Sequence, residues 1–283
     1  MEQAIAKAAV LIEALPYIRR FRGKIVVVKL GGSFMDVAED LEAVSTDIAL
    51  MRAVGIHTIV VHGGGKAISR AMLEAGLKPE FVDGLRKTGP EELRIVEDVL
   101  ATDVNRRIVD LLESSGARAE GLTSKGRCPL RAAPLREDLG LVGKVVGVDD
   151  LLLRGLCDLG TVPVVAPIGL GPGGQKYNCN ADEAAAAVAR ALAAEKLVNV
   201  SDTHGISAAG AGQGEILSHL SEADARRLLA EGVITGGMIP KVQCMLDALK
   251  GGVKKAHVIS GRVPHSLLLE IYTDHGVGTE IVP

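Results

Sequence analysis

The chain has 283 residues, of which 47% are apolar but only 2% aromatic, so its core must be built from Ala, Val, Leu and Ile. That length suffices for one large α/β domain or two small ones. A balance of 32 Lys and Arg against 35 Asp and Glu, with no basic stripe, excludes a nucleic-acid footprint. Cys128, Cys157, Cys179 and Cys244 have neither CxxC spacing nor histidines at metal-ligand intervals. They read as free thiols in a reducing cytoplasm, and no protein-held metal is expected. No apolar run approaches a membrane span, and the first twenty residues lack the apolar block of a signal peptide.

The first predicted element is a helix within MEQAIAKAAVLIEALPYIRRFRG, where Ile5, Ala8, Ile12 and Leu15 share a face. Pro16 is expected to interrupt it before Tyr17 and Ile18. A helix packed on its own domain and a helix offered to another subunit both fit this pattern. KIVVVKLGG, HTIVVHGGGK, TVPVVAPIG, KLVNVSDTHG and KAHVISGR then read as strands, each closing in a polar or glycine-bearing turn. Runs this apolar on both faces suit parallel strands covered by helices. AEDLEAVSTDIALMRAVG, EELRIVEDVLATDVNRRIVDLLESSG and SEADARRLLAEG carry the helical period, the last capped by Ser221 and Asp224 and stopped at Gly232. The grammar predicts an α/β fold, an αβα sandwich around a largely parallel open sheet. Ligands of such sheets bind beyond the carboxyl ends of the strands.

The glycine turns stand at those ends. Gly31, Gly32 and Ser33 follow the first strand, and Gly64 and Gly65 the second, so backbone N–H groups can approach an anion closely. Lys29 is costly at the end of a buried strand unless an anion pairs with it, which makes it a candidate point charge on a phosphoryl group. A lysine snorkelling to solvent is the plain alternative. No GxxxxGK[ST] occurs, and GLGPGG at 169–174 is a poor dinucleotide fingerprint because Pro172 stiffens it and QKYNCN follows instead of a helix. In YNCNADEAAAAVARAL, Asn178 and Asn180 alternate along an extended segment and Asp182 opens an alanine-rich helix, where simple capping would account for it alone. Gly236, Gly237, Met238 and Lys241 form another turn-to-helix junction. Two lysines with an aspartate between them would suit phosphoryl transfer, which rests on positioning and charge neutralisation. Arg86, in VDGLRKTG, reads by itself as a solvated loop arginine, its sharper role being a bidentate grip on a carboxylate.

Together KLGGS, VVHGGGK, DGLRKT, YNCNAD, GGMIPK and GVGTEI, in that order from about residue 23 onward, resemble the amino acid kinase family and its N-acetylglutamate kinase branch. The resemblance implies ATP-dependent phosphorylation of the γ-carboxylate of N-acetyl-L-glutamate in arginine biosynthesis, with Mg²⁺ carried on the ATP phosphates. It assigns catalysis to Lys29, Lys241 and Asp182, and substrate binding to Gly64, Gly65, Arg86, Asn178 and Asn180. Nucleotide or phosphate contacts fall to Gly31, Gly32, Ser33, Asp202, Gly237 and Met238. It divides the chain into an interlacing helix (1–22), a substrate lobe (about 23–180) and a nucleotide lobe (about 181–283). It also implies L-arginine as a feedback effector, bound by His257, Glu270 and Gly276, a homohexamer built as a trimer of dimers, and a PII signalling protein as a candidate partner. SDTHGI, with His204, and Gly89–Pro90 depart from the usual pattern. Two alternatives remain: a kinase for an acylated aminoadipate, and a catalytically silent arginine sensor.

Overall fold

The structure, a computed structural model, describes residues 1–208, 214–273 and 276–283; side chains at 2–4, 6–8 and 10 lie outside the description, Ala8 among them. In chain order the helices are α1 (Glu2–Phe21), α2 (Ala38–Ala53), α3 (Gly65–Glu74), α4 (Pro90–Asp98), α5 (Asn105–Ser114), α6 (Asp150–Asp158), α7 (Ala181–Ala191), α8 (Glu222–Ala230), α9 (Met238–Lys250) and α10 (Ser266–Tyr272). A π-helical stretch, Val99–Val104, joins α4 to α5 without a break. The strands are β1 (Ile25–Leu30), β2 (His57–His62), β3 (Phe81–Val82), β4 (Leu85–Arg86), β5 (Arg118–Leu122), β6 (Leu130–Pro134) and β7 (Val142–Val148), followed by β8 (Thr161–Val165), β9 (Ile168–Leu170), β10 (Lys176–Cys179), β11 (Lys196–Ser201), β12 (His219–Ser221), β13 (Lys255–Ser260) and β14 (Thr279–Val282).

All five strands read from the sequence lie in one eight-stranded sheet, ordered β12-β14-β13-β11-β1-β2-β8-β5. The six strands from β13 to β5 run parallel, and β14 pairs antiparallel at one end with β12 beside it. β1 lies inside the sheet with all six residues buried. Its alternation divides the core. Ile25 and Val27 pack with the alanine run of α7 and with α9, while Val26, Val28 and Leu30 pack with α2, α5 and α10. That is the αβα sandwich, and its parallel strands are apolar on both faces because helices cover both. Small residues at 184–187 and 189 of α7 bring that helix close to the sheet.

Beside the sheet, β10, β7, β6 and β9 close into a small barrel and β3 pairs with β4 as a hairpin. The capping box of α8 forms as expected between Ser221 and Asp224, and Gly232 ends that helix at φ +70°.

α1 differs from expectation: it runs through Pro16. Proline removes one helical hydrogen bond, and the exposed surroundings of Ile12 let its freed carbonyl bond to water. The end of α1 packs on its own domain, with Phe21 buried and the Tyr17 ring edge-on to Tyr272 at 6.4 Å. Its beginning does not, since Ile5, Leu11 and Ile12 are 61–71% exposed. No helix among the described residues is long and apolar enough to cross a membrane.

Candidate active site

The carboxyl ends of β1, β2 and β11 are tied into one rim. Gly31 N–H donates to Val200 O at 3.1 Å and Gly63 N–H to Leu30 O at 2.7 Å. Lys29, on β1, is buried, and its ammonium pairs with Asp182 at 2.8 Å. Lys241, in the first turn of α9, reaches the same carboxylate, 3.1 Å from each oxygen. Two lysines 212 positions apart in sequence thus converge on one aspartate. Burial pulls the Lys29 pKa down to about 8, with Asp182 opposing and Lys241 assisting. Burial alone would raise the Asp182 carboxyl, but the two lysines outweigh it and hold it below its ordinary value.

Asp182 is not the cap of α7. Asn180 is: its Oδ1 accepts from the N–H groups of Asp182 and Glu183 at 2.8 and 3.1 Å. With the helix end satisfied by a neutral amide, the carboxylate two residues on is left for the lysines. Asn178 donates to Thr88 Oγ1 at 3.1 Å, and both asparagines face one cavity, as their alternation predicts.

That cavity, about 260 Å³, is also lined by Lys29, Gly31, Gly32, Gly64, Gly65, Arg86 and Asp182. Arg86 corrects the solvated reading. It is buried, donates to Gly65 O at 2.8 Å and Ser69 Oγ at 2.7 Å, and stacks 4.7 Å from the Phe81 ring centroid. Its hydrogen-bond partners on α3 lie 17 and 21 residues back along the chain, so no local pattern announced them. An adjoining cavity of about 620 Å³ adds Lys66, Arg70 and Arg107.

A further cavity of about 460 Å³ lies on the other side of Gly31 and Gly32, against Asp202, Ile234, Gly237, Met238 and Lys241. Gly31 and Gly32 therefore border both spaces. A Cβ at Gly31 would overlap the Lys29 ammonium, and Gly32, at φ +110°, would set one 2.9 Å from the Asp202 carboxylate. Asp202 accepts from Ser33 N–H at 2.6 Å and Phe34 N–H at 2.7 Å, and these bonds help to hold its pKa low against the upward push of burial. Ser33 thus braces the turn and lines neither cavity, its Oγ accepting from Arg262 at 2.9 Å.

His257, Glu270 and Gly276 come together elsewhere. His257 Nδ1 lies 2.6 Å from Glu270, whose other oxygen accepts from Val277 N–H at 2.8 Å. Lys196 Nζ is 3.2 Å from His257 Nε2. Glu270, Gly276 and Lys196 border a cavity of about 190 Å³ whose wall includes Tyr17, Arg20 and Phe21 of α1.

The sequence matches the amino acid kinase family over residues 24–260. The chain belongs to that family. Curated relatives named acetylglutamate kinase are 50% identical in Symbiobacterium thermophilum, covering 99% of both chains, and 45% identical in Aquifex aeolicus, again over 99% of each. Among solved structures, N-acetylglutamate synthase from Neisseria gonorrhoeae, complexed with coenzyme A and N-acetyl-glutamate, superposes with a TM-score of 0.87 at 28% identity. This family member covers 63% of that synthase chain with 98% of its own length. Carbamate kinase from Giardia lamblia bound to AMP-PNP, at 15% identity and a TM-score of 0.70 over 92% of this chain and 98% of that one, shares the fold.

Proposed function

We propose that the chain transfers a phosphoryl group from ATP to the γ-carboxylate of N-acetyl-L-glutamate. One observation carries this reading: two cavities meet at the Gly31–Gly32 turn, where Lys29 and Lys241 share Asp182. The acetylglutamate kinase names of full-length relatives support the choice of acceptor.

Bound ATP, with Mg²⁺ on its phosphates, supplies the phosphoryl group. The residues fit such an anion, because two lysines share one carboxylate and the missing Cβ atoms of Gly31 and Gly32 leave the turn open. Lys29 and Lys241 neutralise charge on the transferring group, and Asp182 keeps the two ammoniums apart and aimed. Arg86 and Asn178 hold the acceptor's carboxylate, with Gly64 and Gly65 beside it. Asp202, Gly237 and Met238 line the donor side. On this reading the substrate lobe ends near residue 180 and the nucleotide lobe follows it, with Gly31 and Gly32 at the border of both.

Regulation by L-arginine belongs to the same proposal. Glu270 and Glu280 offer carboxylates to a guanidinium in the cavity that α1 helps to wall, and the related synthase is described in complex with coenzyme A and L-arginine. The exposed apolar start of α1 supports its use between subunits, in a trimer of dimers.

Hydroxamate formation from ATP, Mg²⁺ and N-acetylglutamate tests the reading. Turnover is expected, with no comparable turnover on carbamate or N-acetyl-aminoadipate. Absence of turnover while arginine still binds would replace the kinase with an arginine sensor.

A further inference from the structure

His62 closes β2 directly before the glycine turn, fully buried. Its Nδ1 lies 2.9 Å from Gly63 O, an atom that only accepts, so Nδ1 carries the proton. Burial lowers the ring's pKa to about 4, so the ring is neutral and Nε2 is an acceptor. That acceptor is filled by Asn105 Nδ2 at 3.0 Å, and the same amide nitrogen also donates to Val164 O at 2.9 Å. Gly63 O on one side and Asn105, 43 residues further along the chain, on the other thereby dictate which imidazole nitrogen bears hydrogen.

The consequence falls on one peptide plane. A trans peptide points its C=O and its N–H in opposite directions. Holding Gly63 O toward the buried imidazole turns the N–H of Gly64 away from it, and Gly64 lines the cavity shared with Lys29 and Arg86. Gly64 is the N-cap of α3, where backbone N–H groups lack helical partners. From the other side, Leu100 and Val104 of the π-helical stretch close on Gly64; a Cβ there would stand 2.7 Å from Leu100 Cδ2 and 3.5 Å from Val104 Cγ2. Asn105 is the residue immediately after that stretch. The stretch thus sets Leu100 and Val104 against Gly64, and the next residue, Asn105, against His62. Gly121 of β5 completes the arrangement, because a Cβ at that position would overlap Asn105 Oδ1.

We propose that His62 and Asn105 form a positioning pair for the reaction: Asn105 fixes the imidazole tautomer, and His62 locks the Gly63–Gly64 peptide so that the Gly64 N–H faces the acceptor and the group it receives. This rests on the kinase reading above, so the activity of the parent chain is measured first; an inactive parent sinks that reading, whereas an active one admits the test. Asn mimics the Nδ1 position of histidine and Gln the Nε2 position. His62→Asn keeps the bond to Gly63 O and loses Asn105; His62→Gln does the reverse. The expected result is a kcat within a few-fold of the parent for His62→Asn and a loss of roughly tenfold to a hundredfold for His62→Gln. KM for ATP is unchanged in both, and their melting temperatures are similar. Gly121→Ala, outside the walls of the cavities described above, is expected to lower kcat by displacing Asn105 while the fold persists. Equal kcat losses in the Asn and Gln variants, or losses that simply track melting temperature, would overturn the proposal. If neither His62 variant folds, Gly121→Ala decides alone: an unchanged kcat refutes the pair and a lowered kcat at unchanged ATP KM supports it.

Discussion

Lys29 shows how one side chain can carry opposite pH trends. Its ammonium form is the one that can meet a phosphoryl group, and burial lowers its pKa to about 8. The kcat/KM of the free enzyme is therefore expected to fall as pH rises through about 8, read from an initial-rate pH profile. A flat profile to pH 10 would remove the Lys29 ammonium from the chemistry. Stability runs the other way: between about 8 and 10.5 the unfolded chain holds a proton that the folded site has released, so the Lys29 contribution to stability rises across that window. Lys241→Ala should leave the melting temperature near that of the parent and lower kcat by roughly a hundredfold or more, with little change in either KM. Matching turnover in mutant and parent would exclude Lys241 from the mechanism. Gly31→Ala makes a subtler case. The new methyl would overlap a flexible lysine end rather than backbone, so the fold should survive while the displaced ammonium lowers kcat.

At the level of elements, Asn180 couples a helix end to the charge pair. Asn180→Ala removes the cap of α7 and is expected to cost about 1 kcal/mol by thermal melt. It should also lower kcat by letting Asp182 wander, whereas Asn180→Asp keeps the cap and recovers the stability. An unaltered kcat in the alanine variant would separate capping from catalysis. The central strands were legible because Val and Ile runs buried on both faces have few other solutions, and Lys29 stood out against that background. The barrel of β6, β7, β9 and β10 was not. β9 and β10 are only three and four residues long, glycines interrupt β7 and β9, and β10 meets β7 through a register of only Asn178↔Val142 and Cys179↔Gly143, pairings set far along the chain. The π-helical stretch also left no trace, because VLATDVNRRIV keeps an apolar period while the winding loosens. The expectation of a break at Pro16 failed for a related reason: an exposed helix tolerates a missing hydrogen bond where water replaces it. Removing residues 1–20 should reduce a hexamer to dimers in light scattering and blunt arginine inhibition. An unchanged mass would refute the role assigned to α1.

Across the whole molecule, the site is assembled from segments near residues 30, 64, 86, 180 and 240, joined by the sheet rather than by any local motif. Each glycine turn could be found alone, but their meeting at Asp182 required the parallel order of β11, β1 and β2. The same sheet carries the cavity of about 190 Å³ at a different place, through β11 and β13, which hold Lys196 and His257 side by side with α10. Arginine titration of initial rate, with mass followed in parallel, tests whether the two places communicate. Inhibition that vanishes in Glu270→Ala at unchanged basal kcat is the expected result, and inhibition that persists there would move the effector elsewhere.

The scarcity of aromatic residues has a practical sequel. With no tryptophan and three tyrosines in the chain, ultraviolet emission comes from phenol rings alone. Two of the three, Tyr17 and Tyr272, face each other across the join between the first helix and the last. Unlabelled protein thus carries a native optical gauge of that seam, and any effector that prises it open or clamps it shut should announce itself as a change in tyrosine brightness or anisotropy.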